Sequence, residues 1–410
     1  MDALACRFCD SPLRKIFVDL GMAPLVSSYL SAADLHRVEM FYPLRVYVCE
    51  QCYLVQLPQA ETPEKLFGDY PYFSSISASW LRHAQAYVNQ MMERCRFDDR
   101  SQVIEIASND GYLLQYFKER GVPVLGVEPA VNVAEFARNA GIPTVVKFFG
   151  SKTARELALE GKQADLLLGN NVLAHVPDIN DFVTGMKMLL KRDGLITMEF
   201  PHLLKLIEEN QFDTIFHEHF SYLSFLTVEQ IFAKHELVIF DVEEVPTHGG
   251  SLRIYARHAK VEDKSTTDRA QDLRQREIGA GFDRVETYCA FEKRAQVTKH
   301  KLVKCLVELK QDGRSIVGYG APGKGCILLN YCGIRSDFLD YVVDLSPHKQ
   351  GLFIPGTHNP IYHPNKIRET KPDYVLILPW NLRGEIMEQL SFIREWGGRF
   401  IVPIPEVTVS

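Results

Sequence analysis

The sequence predicts an α/β protein in three parts: a small cysteine-bearing module, a parallel sheet with crossover helices, and a second, smaller Rossmann-like α/β domain. Three observations predict it. Apolar strand-like runs alternate with amphipathic helix-like runs from about residue 100 to 200. The same alternation restarts at Ser315. Two Cys-x-x-Cys pairs lie near the start of the chain.

The first part spans residues 1–72. Its stretch Phe41–Leu57 is rich in β-formers and reads as two strands around a turn. Cys6-x-x-Cys9 and Cys49-x-x-Cys52 are separated by 39 residues. Each pair makes a tight turn that aims two sulfurs at one point, so four thiolates can enclose one tetrahedral Zn2+. A closed shell of four cysteines leaves no open position, which makes such a zinc structural; four free or redox thiols are the alternative. The remaining five of the nine cysteines are scattered and read as small buried hydrophobes.

The second part spans residues 73–260. A helix over Ser79–Arg96 leads into the strand Gln102–Ala107. The helix-like Asp110–Gly121 and the strand Val122–Glu128 follow. Next come a helix over 130–141, a strand over 164–172, a helix from Ile179 to Gly194 and the strand Leu195–Phe200. Residues 261–311 are charged, contain no proline and read as one or two exposed connecting helices. Residues 312–410 form the last domain.

A charge of -6, 46% hydrophobic residues and 24% charged residues are ordinary globular values and speak against a nucleic-acid partner. No apolar run approaches the 18 residues of a bilayer span, and no basic-then-apolar leader pattern is visible. The expectation is a cytoplasmic protein, monomeric or homodimeric, with no membrane or nucleic-acid partner.

The chemistry begins after the first strand. Glu105 sits near the strand end, Asn109-Asp110-Gly111 makes the turn, and Glu128 ends the next strand. An acid there can accept both ribose hydroxyl protons, and a helix N-terminus can take a ligand's charged end. Ala107 stands where a dinucleotide fold has its first glycine. This favours S-adenosylmethionine (SAM), which has no pyrophosphate to admit, over NAD; a purely structural sheet is the remaining alternative. Phe148 and Phe149 are candidate adenine walls. Asn170 and Asn171 end the fourth strand at the edge where such sheets bind ligands.

The motif series as a whole resembles the sugar C-methyltransferases that act on nucleotide-linked deoxysugars. The resemblance covers essentially the whole chain. It is carried by the paired Cys-x-x-Cys knuckles and by EIASNDGYLL, NNVLAHVPD, HEHFSYLS, HGGSLRIY, GYGAPGKG, LLNYCG and LPWN, in that order. It implies a zinc-binding module, a class I SAM-dependent methyltransferase domain and a C-terminal Rossmann-like domain that helps hold the nucleotide-sugar. The implied reaction is methyl transfer to a carbon beside a 4-keto group, with thymidine diphosphate as the usual carrier. Such a reaction needs a base near the carbon and donors near the ketone oxygen.

The resemblance places the base at His219, in the segment Phe216–Tyr222. Glu218 is then an orienter of the ring or a contact to a sugar hydroxyl or amine, and His217 is support. His175 is a second candidate around the sugar. Tyr72 stands where the family has a substrate-contacting tyrosine. The family commonly has a tyrosine where this chain has Phe216, so Tyr222 or Tyr72 is expected to supply the missing phenol. Read as a strand, His217 and His219 would share a face, but no third metal ligand of suitable spacing accompanies them.

Gly318-x-Gly320-x-x-Gly323 follows an apolar strand and precedes a helix, with Asp344 ending the next strand. Taken alone, this pattern fits a dinucleotide and a nicotinamide-dependent oxidoreductase. Pro322 inside the loop and Lys324 after it fit better a cradle for part of a nucleotide-sugar, with Gly320, Lys324 and Asp344 as substrate contacts; a structural turn is the plain alternative. An O- or N-methyltransferase on a related sugar and a zinc-ribbon nucleic-acid methyltransferase are the other rivals.

Overall fold

The computed structural model describes residues 4–68, 70, 72–261 and 265–410. Asp69 and Pro71, beside Tyr72, lie outside the described residues. The chain divides into two compact units that are not consecutive in sequence. The first comprises residues 1–14, 49–202 and 220–285, the second residues 15–48, 203–219 and 286–410. One boundary therefore falls between His219 and Phe220.

The first unit is built on a seven-stranded sheet. Its strands are β1 (Val103–Ile106), β2 (Val124–Val127), β3 (Thr144–Val145), β4 (Ala164–Asn170), β5 (Leu190–Pro201), β6 (Leu237–Val245) and β7 (Ser251–His258). Their spatial order is β3-β2-β1-β4-β5-β7-β6; β1 to β5 run parallel and β7 pairs antiparallel with both neighbours. All four residues of β1 and of β2 are buried, as a sheet covered on both faces requires.

Helices start where side chains cap them. Ser77 accepts from the Trp80 amide at α1 (Ala78–Cys95), and Asp178 from the Asp181 amide at α5 (Ile179–Leu189); between them lie α2 (Leu114–Lys118), α3 (Val131–Asn139) and α4 (Ser151–Leu159). Gly185 lets α5 approach the start of α4; a Cβ there would come 2.8 Å from the Gly150 carbonyl carbon. The helix expected to reach Gly194 stops at Leu189. Leu190 instead pairs with Ala164, and Gly194 packs against the Ala164 carbonyl, so β5 begins five residues earlier than its apolar run. Helix α6 (Phe225–Lys234) is capped twice. Ser224 accepts from the Thr227 amide, and the buried Glu277 carboxylate of α7 (Asp268–Gly279) accepts from the Phe225 and Leu226 amides and pairs with His202.

The second unit has a hairpin of Lys15–Ala23 with Tyr42–Val48 and a six-stranded sheet. The sheet strands are β8 (Ile316–Tyr319), β9 (Val342–Val343), β10 (Ile361–Tyr362), β11 (Tyr374–Ile377), β12 (Arg399–Val402) and β13 (Thr408–Val409). The order β10-β9-β8-β11-β12-β13 reverses direction at β8/β11, the switch point where open α/β sheets present their ligand edge. Where one or two exposed helices were expected before Ser315, three occur: α7, Val285–Cys289 and the long α8 (Phe291–Gln311). Nor are they wholly exposed. Ala270 and Leu273 of α7, and Phe291, Ala295, Leu302 and Leu306 of α8, are buried; high charge hid a 3.6-residue apolar stripe. Of the five cysteines outside the pairs, only Cys326 and Cys332 are buried; Cys289 is exposed.

Candidate active site and metal centre

The first unit gathers Cys6, Cys9, Cys49 and Cys52, whose sulfurs all lie within 4.8 Å of one another. Cys6 Sγ is 3.6 Å from Cys52 Sγ, and Cys9 Sγ is 3.5 Å from Cys49 Sγ. Tetrahedral zinc with bonds of about 2.3 Å requires sulfurs about 3.8 Å apart. The two knuckles share one backbone design. The Asp10 amide donates to the Cys6 carbonyl and the Tyr53 amide to the Cys49 carbonyl. Cys6 N–H donates to Ser11 O and Cys49 N–H to Leu54 O; Asp10 and Tyr53 both have left-handed backbone, φ 60° and 59°. Gln56 Nε2 donates to Cys6 Sγ and the Gln51 amide to Cys49 Sγ. Donors aimed at the sulfurs suit thiolates bound to a metal. The four residues fit zinc, and no fifth ligand is needed.

At the end of β1 the chain reverses through a loop in which Ala107, Asn109 and Gly111 all take left-handed backbone, φ 56°, 50° and 81°. Glu105 is buried, with the Tyr112 hydroxyl beside its carboxyl and no cation paired to it among the described residues. Burial holds its pKa well above the ordinary carboxylate range. A buried acid left so is matched to a cationic ligand. SAM, with its ammonium and sulfonium, meets that description. Glu128 accepts from the Asn109 amide through Oε2 and the Ala130 amide through Oε1, both at 2.9 Å. Burial raises its pKa and those two bonds oppose the shift. Each oxygen retains a second lone pair for a ribose hydroxyl.

The side chains of Asn109 and Asp110 turn elsewhere. Asn109 accepts from the Ser74 amide and donates to Tyr72 O, Asp110 accepts from the Ser75 amide, and Asn132 bonds both polar groups of the Tyr70 backbone. They tie the segment around Tyr72 to the loop and leave the Tyr72 ring half exposed. Phe149 packs edge-on against Phe182 of α5, and Phe148 is exposed. Asn170 donates to the Tyr112 hydroxyl at 3.2 Å, and Asn171, also left-handed, lies 2.9 Å from His248 Nε2. His175 sits in a short 3-10 turn after β4 with its ring edge-on to Phe67. Tyr222 is buried in a two-residue strand paired with Val55–Gln56.

Replacing Glu128 by alanine removes two charge-assisted acceptors. SAM affinity is expected to fall at least tenfold, about 1.4 kcal/mol or more, by titration calorimetry. An unchanged affinity would exclude Glu128 from the ribose site.

Sequence reading missed a buried cluster at the same sheet edge. Glu199 of β5 stands beside Asn170 of β4 on one side and Arg253 of β7 on the other. Its carboxylate is bonded by Arg253 Nη2 at 2.7 Å, Thr247 Oγ1 at 2.9 Å and His83 Nε2 at 2.9–3.0 Å. Burial would raise its pKa, yet His83 and the Arg253 charge hold it down to about 2. Trp80 of α1 stacks on His83 and Tyr112 and meets His248 edge-on. The alternating strand pattern gave one usable signal, a glutamate and an arginine near the ends of apolar strands.

In the second unit, Phe216–His219 form a tight turn rather than a strand, closed by the His219 amide on the Phe216 carbonyl at 2.9 Å. The side chains therefore diverge. His217 bonds Pro43 O at 3.3 Å and packs edge-on against Tyr42, and burial lowers its pKa. Glu218 is buried and accepts from Ser27 Oγ at 3.0 Å. His219 Nδ1 lies 3.1 Å from the Thr214 carbonyl, and the Phe216 ring covers its imidazole at 4.0 Å between centroids. A carbonyl only accepts, so Nδ1 carries a proton, and in the neutral ring the basic lone pair belongs to Nε2.

Burial pushes the Glu218 carboxyl up to about 6. A folded-state pKa above the unfolded value gives stability that is present at low pH and lost as pH rises through about 6. A shift from 4.5 to about 6 corresponds to about 2 kcal/mol. Glu218→Gln is therefore expected to remove most of that, a little over about 1 kcal/mol, from the stability lost between pH 5 and 8, by denaturant titration at both pH values. Parallel wild-type and variant pH profiles would refute it.

The Gly-rich loop after β8 is largely occupied by its own surroundings. Asp344 accepts from the Ala321 amide through Oδ2 and the Ser346 amide through Oδ1, and Lys349 and the Tyr29 hydroxyl both donate to Ala321 O. Gly320, φ +83°, lets Pro379 approach; a Cβ there would meet the proline ring at 2.6 Å. Lys324, in the first turn of α9 (Gly323–Cys332), donates to Asn381 Oδ1 at 2.9 Å and lies over the Trp380 ring at 4.5 Å.

Family models match residues 6–67 as a putative zinc binding domain, 80–242 as a methyltransferase domain and 246–405 as a C-methyltransferase C-terminal domain. The chain is 36% identical over 404 residues to the C-methyltransferase NovU of Streptomyces niveus, covering 98% of this chain and 96% of that protein. It is 29% identical to the ubiquinone biosynthesis O-methyltransferase of Bartonella tribocorum over 24% of this chain and 40% of that one. The magnesium protoporphyrin IX methyltransferase of Synechocystis, solved with S-adenosylhomocysteine, aligns over 43% of this chain and 82% of its own at 14% identity and a TM-score of 0.34. Among the described residues, no helix is long and apolar enough to cross a membrane.

Proposed function

Because the chain belongs to the zinc-bearing, SAM-dependent C-methyltransferase family, we propose that it methylates a carbon next to the ketone of a nucleotide-linked 4-keto-deoxysugar. The observation that carries the reading is the orientation of His219: its Nδ1 is directed at the Thr214 carbonyl, so Nε2 is the nitrogen that would act as base. SAM, bound through Glu105, Glu128 and the Ala107–Gly111 loop, supplies the electrophilic methyl. No metal is needed for that step.

His219 Nε2 takes the proton from the carbon beside the ketone, and the electron pair of that C–H bond passes onto the ketone oxygen as an enolate. The enolate carbon would then form the new C–C bond to the SAM methyl as the S–CH3 bond breaks, its electron pair going to sulfur to leave S-adenosylhomocysteine, while the proton remains on the imidazole until solvent removes it. The Phe216 ring packs against the imidazole and limits where it can turn. Tyr222 and Tyr72 are the proposed donors to the enolate oxygen, Glu218 and His175 the sugar contacts, and Gly320, Lys324 and Asp344 the nucleotide-side groups.

Incubation with SAM and a thymidine-diphosphate-linked 4-keto-6-deoxyhexose, followed by carbon NMR of the product, tests it. A new C–CH3 signal supports the reading; methyl found only on oxygen or nitrogen would sink it.

A further inference from the structure

The turn that supplies the Thr214 carbonyl is held by an acid with no role so far. Asp213 is completely buried in the 3-10 turn Phe212–Thr214. Its Oδ2 accepts from the indole Nε1–H of Trp380 at 2.8 Å, and its own backbone N–H also favours the charged carboxylate. Trp380 follows β11 at the switch-point edge of the second sheet, and the ammonium of Lys324 lies over the face of the same indole. One residue earlier, Phe212 packs edge-on against Tyr331 of α9 at 5.4 Å. One residue later, Thr214 binds His219 Nδ1 through its carbonyl and donates from Oγ1 to Gln211 O.

A fully buried carboxyl is costly, and a residue that only filled volume there would be apolar. The cost is borne at the one place in the turn where an acceptor can meet the indole. Burial pushes this carboxyl up to about 7, with the Lys324 charge and the Trp380 bond opposing. We propose that Asp213, held by Trp380, is a positioning residue for His219: it fixes the Thr214 carbonyl that keeps the imidazole in its Nδ1–H tautomer and so keeps Nε2 basic. The functional meaning rests on His219 being the base. The geometry itself does not.

The test is the tautomer. Full-length protein labelled with 15N-histidine reports each imidazole nitrogen by its shift, and His219→Gln identifies the His219 signals by their loss. Wild-type His219 is expected to show a protonated Nδ1 and a pyridine-like Nε2. Asp213→Leu and Trp380→Phe are each expected to raise the Nε2–H form at least threefold. Asp213→Asn, which keeps an acceptor for the indole, is expected to restore the wild-type pattern. A single cooperative unfolding transition close to that of the wild type, measured on each variant, certifies the fold. If one variant fails to fold, the other decides. An unchanged His219 tautomer in the folded variants overturns the proposal. Solvent-deuterium wash-in at the sugar carbon judges the base assignment separately, since wash-in kept by His219→Gln would sink His219 as base and leave the tautomer result standing.

Discussion

His219→Gln is expected to lower the rate of carbon methylation by about 10²- to 10⁴-fold, the usual contribution of a positioned general base. The argument is one of atoms. Gln places an amide near the former imidazole and keeps a polar group beside the Phe216 ring, but an amide nitrogen has no lone pair for a proton. The bond to Thr214 can be re-formed by the amide N–H, so the turn has no reason to open. SAM affinity is expected to stay within about twofold of wild type, because every group assigned to SAM is in the first unit. Loss of turnover with SAM affinity kept, together with loss of deuterium wash-in from D2O, marks the defect as proton abstraction. A variant that turns over at near the wild-type rate removes His219 from that role, and one that keeps wash-in while losing methylation moves it to a later step.

The same residue shows where sequence reading stops. Both Cys-x-x-Cys knuckles, the strand–helix alternation and the acids at the ends of β1 and β2 were legible because each depends on spacing within a few residues. The Phe216–His219 turn was not. It contains no glycine, proline or asparagine to mark it, and its aromatic, β-forming residues suggest a strand. That error assigned the side chains of His217, Glu218 and His219 to faces, whereas the turn sends each to a different partner. The group that fixes His219 is a backbone carbonyl, which every residue carries and no motif can announce. Asn109 and Asp110 were recognised as loop residues, but their side chains serve the segment around Tyr72, 35 to 37 positions away. Glu199 joins His83 and Arg253 over separations of 116 and 54 residues. Such pairings become visible only once the strand order is known.

Cys49→Ala is expected to cut bound zinc from about one ion per chain to a small fraction of that, by metal analysis after dialysis. It is also expected to weaken SAM binding, at a distance from any sulfur. The first knuckle is not a separate bead: Asn180 of α5 donates to the Arg7 and Phe8 carbonyls, and Lys234 of α6 donates to Phe8 O. Arg7 reaches back to the carbonyls of Leu57 and Pro177, and Thr227 of α6 bonds Cys52 O. Without the ion, four sulfurs at 3.5–4.8 Å repel or oxidise rather than hold the two knuckles in register, and the carbonyls that α5 and α6 use as acceptors lose their fixed positions. Helix α5 packs against β4, the strand that ends at Asn170, which gives the disturbance a route toward the cofactor groups. A structural zinc of this kind is worth several kcal/mol of folding free energy, and a thermal midpoint lower by about 10 °C is the expected scale. A chelator strong enough to strip the wild type should reproduce both effects, and added zinc should reverse them in the wild type only. Zinc retained in full by Cys49→Ala would dismiss the four-cysteine site. Zinc lost with stability and SAM affinity unchanged would keep the site but deny that the knuckles brace the cofactor sheet.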